Sequence, residues 1–117
     1  MNNIRVQRTN ADIFRVLQTT ISQKMNNEHL VGVTVLSVET SSDLSTSRVH
    51  IEVSGDEAEK KRAITELEKS AGFLRTEIAG NVKMRQAPNL RFILDRGRES
   101  ADRVNELLNQ IKAGEGN

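Results

Sequence analysis

No cysteine, tryptophan or tyrosine occurs in this chain, and proline occurs once, as Pro88. The missing cysteines exclude disulfides and thiolate-ligated metal centres, and they suit a reducing compartment. With tryptophan and tyrosine absent, Phe14, Phe73 and Phe92 are the only aromatic side chains. All three fall on or beside apolar stripes, so core packing accounts for them and a sheet platform for stacking bases is disfavoured. No apolar run approaches the roughly 20 residues of a membrane span. The amino terminus also lacks the basic-then-apolar layout of a secretory signal. These absences point to the cytoplasm, without membrane attachment.

What is present is charge, unevenly spread. The formal net charge is only +1, yet residues 1–24 carry Arg5, Arg8, Arg15 and Lys24 against Asp12 alone. Between Arg75 and Arg98 stand six basic side chains, Arg75, Lys83, Arg85, Arg91, Arg96 and Arg98, against Glu77 and Asp95. From Glu28 to Lys69, nine acidic residues outnumber five basic ones. If the two basic segments meet in space they form a positive face on a nearly neutral protein, and such a face attracts polyanions. A length of 117 residues is one domain, 1–117, with residues 113–117 expected to fray.

Periodicity supplies the elements. Ile13, Leu17, Ile21 and Met25 recur in steps of four, so a helix covers roughly Thr9 to Met25 and can begin earlier. Val31, Val33 and Val35 alternate with Gly32 and Thr34, and then Leu36 and Val38 continue in the opposite phase. That slip predicts a bulge or a strand covered on both faces. A turn-like run from Thr40 to Thr46 leads into a second strand with Val49, Ile51 and Val53 on one side and Arg48, His50 and Glu52 on the other. The two strands read as an antiparallel pair. Ser54, Gly55 and Asp56 signal a helix start. The stripe Ile64, Leu67, Ala71, Leu74 and Ile78 then runs to about Asn81, with Gly72 inside it. An interior glycine costs roughly 1 kcal/mol relative to alanine, which marks Gly72 as an intended bend. Leu90, Phe92 and Leu94 form a third strand after Pro88. Ala101, Val104, Leu107, Leu108 and Ile111 form a last helix, which Asp95 would cap and Gly114 would close. The compact way to bury these stripes is an α+β sandwich, a three-stranded sheet with helices on one face.

Other short motifs carry no chemistry. His50-x-Glu52 is explained by strand alternation, and the cysteine pair of a zinc deaminase is absent. His29 has no second ligand in range. Asp43 suits a turn, because its carboxylate can bond nearby amides. No nucleophile, base and orienting partner occur together, so neither an enzyme nor a small-molecule substrate is expected. No cofactor and no metal is expected either.

Several motifs nevertheless fall in one order. Arg5 and Arg8 form Arg-x-x-Arg before the first helix. Val38-Glu39-Thr40-Ser41-Ser42-Asp43-Leu44 lies between the first two strands, and Ser70-Ala71-Gly72-Phe73-Leu74-Arg75 lies at the bend. Met84-Arg85-Gln86-Ala87-Pro88-Asn89-Leu90-Arg91-Phe92-Ile93-Leu94-Asp95 leads through the third strand. Together they resemble ribosome-binding factor A, a family of small-subunit assembly factors. Asn27-Glu28-His29-Leu30 departs from the family's Asp-Pro-Arg-Leu. Ser70 replaces the first alanine of the Ala-x-Gly kink, and Ser47 stands where a small apolar residue is usual.

The resemblance implies a KH-like fold of type II order, α-β-β-α-kink-α-β, with Ser70, Ala71 and Gly72 as an interhelical kink in place of a Gly-x-x-Gly loop, followed by a C-terminal helix. It implies a monomeric, non-enzymatic, cytoplasmic factor that binds the small (30S) ribosomal subunit or its precursor through ribosomal RNA, and assists rRNA processing and late maturation. The candidate RNA contacts are Arg5, Arg8, Arg75, Lys83, Arg85 and Arg91. Amides at the start of the second helix of the bent pair would favour phosphate, with Arg75 reinforcing them. Recognition by shape and charge is expected rather than reading of a short strand. Neutralising about six phosphates would give a log–log salt slope on the order of four to five. The alternative is a protein-interaction module using the open sheet face or the C-terminal helix.

Overall fold

A β-strand with one wet face must alternate polar and apolar residues, and the central strand obeys this without interruption. In the computed structural model, which describes residues 4–96, strand β2 (Thr46–Val53) buries Ser47, Val49, Ile51 and Val53. Arg48 and Glu52 face water, and His50 is half-buried. Strand β1 (Val33–Thr40) runs antiparallel to it, with Val33 opposite Val53 and Thr40 opposite Ser47. The pairing slips between Val35 and Ser37, so Leu36 is the extra residue of a bulge. That slip turns both Val35 and Val38 inward, as the phase change in the sequence predicts. Strand β3 (Asn89–Leu94) lies on the other side of β2 and pairs with it in parallel, Thr46 beside Asn89 and Ile51 beside Leu94.

Three helices cover the apolar face. Helix α1 (Ile4–Thr19) buries Ile13 and Leu17, beginning five residues before the expected Thr9 and giving way to a π-helical turn, Thr20–Lys24. Helix α2 (Glu57–Lys69) starts where Ser54, Gly55 and Asp56 predict, with the Asp56 carboxylate accepting the Glu59 amide at 2.8 Å. Gly55, at φ 121°, supplies a backbone conformation that a side chain would strain. Arg96 donates to both Glu57 oxygens, at 2.6 and 2.8 Å, and fastens the end of β3 to the start of α2. Ile13, Leu17, Ile51, Leu67, Leu74 and Ile78 are wholly enclosed, each worth about 1.5–3 kcal/mol relative to exposure.

Helix α3 (Ala71–Asn81) moves the bend from Gly72 to Ser70, the first residue of the Ser70-Ala71-Gly72 kink. The turning residue is Ser70, at φ −92° and ψ 2°, whose amide donates to Glu66 and Leu67. Gly72 sits two residues later in the first turn of α3, exposed, and an added Cβ would meet nothing within 4 Å. Serine adopts the bridge conformation at little cost, so the kink does not require the glycine. Nor do all three phenylalanines enter the core. Phe14 and Phe92 pack against it, whereas Phe73 is 47% exposed, one residue out of phase with Leu74.

Two departures from the family pattern are explained by local bonding. The buried Ser47 hydroxyl pairs with Thr40 Oγ1 at 2.8 Å, so both polar groups are satisfied. Asn27 accepts the His29 amide at 2.9 Å and donates to Glu66 Oε2 at 3.0 Å, tying the loop at 27–30 to α2. The helix expected over 101–111, its capping by Asp95, and Arg98 and Gly114 lie outside the described residues. Because Gly72 is helical with open space around it, Gly72→Ala should keep the fold and raise stability by roughly 0.5–1 kcal/mol. Denaturant unfolding checks this, and a loss of stability would return the bend to Gly72.

Candidate nucleic-acid interface

Parallel pairing places the first residue of β3 beside the first residue of β2, and therefore beside the β1–β2 hairpin turn. The Asn89 amide donates to the Ser45 carbonyl at 2.9 Å and locks the two together. The chain between α3 and β3 must pass over the same end of the sheet. The first turn of α1 arrives there too. Between these pieces opens a groove of about 490 Å³, lined by Arg5 of α1, Asp43 and Leu44 of the turn, Arg75 of α3, and Met84 and Arg85.

The two basic segments thus meet. Arg5 and Arg85 are exposed and make no hydrogen bond or ion pair with any described residue. Arg75 is half-buried: its Nη2 donates to the Ala87 carbonyl at 3.1 Å, and its Nε is buried without a partner. This arginine therefore both braces the segment before Pro88 and presents charge to the groove. Arg8 and Lys83 are exposed and make no side-chain hydrogen bond or ion pair with any described residue, but they do not line it. Arg91 is set apart, in a depression on the outer sheet face beside Glu39 and Arg48, because the side chains of β3 alternate. Ser70, Ala71 and Gly72 also stand outside the groove, and no side chain caps the start of α3.

Other cations are already engaged. Arg15 pairs with Asp12, Lys24 with Glu77 at 2.8 Å, and Arg48 with Glu39 at 2.9 Å. The side chains of Lys61, Arg62 and Lys69 on α2 make no hydrogen bond or salt bridge with any described residue, but they lie outside the groove. What distinguishes Arg5, Arg75 and Arg85 is convergence.

Sequence reading missed the hairpin turn as a wall of this site. It took Asp43 for a turn former, which it is: Oδ1 accepts the Ser41 hydroxyl at 2.7 Å, the Ser45 hydroxyl at 2.7 Å and the Ser45 amide at 3.0 Å. The signal that would have found it is the parallel crossover, which brings the turn to the start of β3. Among the described residues no cluster of three or more His, Asp or Glu side chains is arranged to hold a metal ion. No described helix is long and apolar enough to cross a membrane.

The description "Ribosome-binding factor A" belongs to a family model that matches residues 5–108. The chain belongs to the ribosome-binding factor A family. A Rhodopirellula baltica member is 36% identical over 112 residues, covering 96% of this chain and 82% of the relative. A Syntrophomonas wolfei member is 33% identical over 114 residues, covering 96% and 93%. The crystal structure of ribosome-binding factor A from Thermus thermophilus is similar with a TM-score of 0.70 at 28% identity, covering 79% of this chain and 98% of that one. A T. thermophilus homology model, as fitted into a cryo-EM map of a 30S complex of the factor, has a TM-score of 0.62 at 30% identity, covering 74% and 90%. Family membership thus agrees with the α+β fold.

One electrostatic consequence can be measured in the groove wall. Hydrogen bonds from Ser41 and then Ser45 lower the Asp43 carboxyl from the ordinary 3.8 to about 2. A depressed carboxylate stabilises the folded turn fully above its unfolded pKa and loses that contribution as pH falls through its folded pKa. The Ser45 amide resonance should therefore hold steady above pH 3.8 and move as pH falls towards about 2. A midpoint at 3.8 would show that the turn does not hold the carboxylate.

Proposed function

We propose that this chain is a non-enzymatic assembly factor that binds the small ribosomal subunit or its precursor through ribosomal RNA, and assists rRNA processing and late maturation. It acts in the cytoplasm, as a monomer. The observation that carries the reading is the convergence of Arg5, Arg75 and Arg85, from the two basic segments of the sequence, on one groove. Guanidinium groups in a concave wall suit phosphate oxygens, since each can donate in pairs. The 30S complex described for the Thermus thermophilus relative supports the choice of partner. The element order, with a kink where a Gly-x-x-Gly loop would stand, supports a KH-like domain that meets folded RNA by shape and charge.

No bond chemistry is required of such a factor. Binding one RNA arrangement more tightly than another shifts the population toward it. A protein-interaction module on the outer sheet face is less favoured, because exposed Glu39, Arg48, Glu52 and Arg91 make that face charged rather than apolar, and the C-terminal helix of that alternative lies outside the described residues.

Only three of the six candidate cations line the groove, so the salt dependence should be shallower than the sequence suggests. Binding to purified small subunits should weaken with a log–log slope of about two to three. Replacing Arg5, Arg75 and Arg85 together by glutamine should weaken binding about a hundredfold. Replacing Lys61 and Arg62 on α2 should change it by less than about threefold, as a general charge effect. Salt-insensitive binding, or equal losses from the two sets, would contradict the reading.

A further inference from the structure

Resting on that reading, we infer that the groove holds one unpaired nucleotide of the RNA, its phosphates on Arg5, Arg75 and Arg85, its base against Leu44 and Met84, and a base N–H donated to Asp43. A simple phosphate clamp would do better without the carboxylate of Asp43. Asp43 lines the same groove as the three arginines and repels phosphate there. The hydrogen bonds from Ser41 and Ser45 all fall on Oδ1, so Oδ2 is left for an incoming donor. RNA offers such donors on the edges of unpaired bases, where amino and imino groups are not engaged in a duplex.

Leu44 supplies the second observation. It is the one non-glycine residue at positive φ among those described, at 63°. Its amide donates to the Ser41 carbonyl at 2.9 Å, closing the turn. Glycine or asparagine would take that conformation more easily, so a leucine held there points to a use for its side chain. That side chain lines the groove together with Met84, so apolar surface shares the groove with the cations and the carboxylate. Apolar surface, cations and a carboxylate acceptor match the base faces, phosphates and base N–H groups of a nucleotide. The volume of about 490 Å³ lies within the roughly 300–1,000 Å³ of pockets that take small ligands.

Asp43 then sets a preference. Cytosine presents an amino group to a carboxylate, whereas the one N–H of uracil is flanked by carbonyl oxygens that the carboxylate repels. With the full chain at fixed ionic strength, fluorescence anisotropy should show labelled oligocytidine binding about fivefold more tightly than oligouridine of equal length. Asp43→Asn should bring the ratio close to one, mainly by raising oligouridine affinity, since an amide can donate to the uracil carbonyls. Arg85→Gln should weaken both probes and leave the ratio intact. Thermal melting of each variant establishes that it is folded.

Equal binding of the two probes by the unaltered protein would overturn the inference, as would an unchanged ratio in Asp43→Asn. So would the absence of binding to either probe at an ionic strength where small subunits are still retained. Retention of small subunits, measured on the same preparations, keeps the two claims separate. Retained subunits without a base preference defeat the nucleotide site alone, and lost retention defeats the functional reading beneath it.

Discussion

The parallel pairing of β2 with β3 is the constraint on which the interface depends. An antiparallel third strand would begin at the far end of β2, beside Val53 rather than Thr46, and would take the segment from Lys83 to Pro88 with it. As built, Asn89 bonds to Ser45, and Asp95 bonds through its amide to the carbonyl of Ile51. Arg75 then reaches the Ala87 carbonyl, and the end of the sheet becomes a concave wall. Helix α1 closes the other side with Arg5. The positive site is therefore a product of topology, since no single element carries it.

Legibility in the sequence followed the strength of each periodic signal. The bulge at Leu36 was readable because a register slip by one residue moves every later side chain to the other face, and burial cannot hide such a change. The helix start at Asp56 was readable because its carboxylate has a definite amide to bond. Within the Ser70-Ala71-Gly72 kink the turning residue was not legible, because the apolar stripe runs through it unchanged, from Leu67 to Leu74 and Ile78. Glycine propensity pointed to Gly72, while the turn was made by Ser70 in a conformation that leaves no compositional mark. Phe73 was misjudged for a related reason: adjacency to a buried residue on a helix means a rotation of about 100°, not shared burial.

Charge told a similar story. A count along the chain identifies basic segments but not which cations are spent on internal partners. Arg48 and Arg91 are neighbours in the sheet register, on the face away from the helices, so Arg91 was grouped with the groove by sequence proximity alone. Arg75 divides its guanidinium between the Ala87 carbonyl and the groove, an arrangement no spacing rule reveals. Asp43, read as a turn former, proved to be one. Its place in one groove with the arginines came from the crossover.

The central claim is that the hairpin end of the sheet, not the far end, meets the ribosome. Hydrogen–deuterium exchange of the full chain with and without small subunits tests it most directly. The account predicts slowed exchange at residues 5–6, 42–45 and 84–87, with residues 28–32 and 53–55 unchanged. Protection confined to the second group, or spread evenly over both, would contradict it.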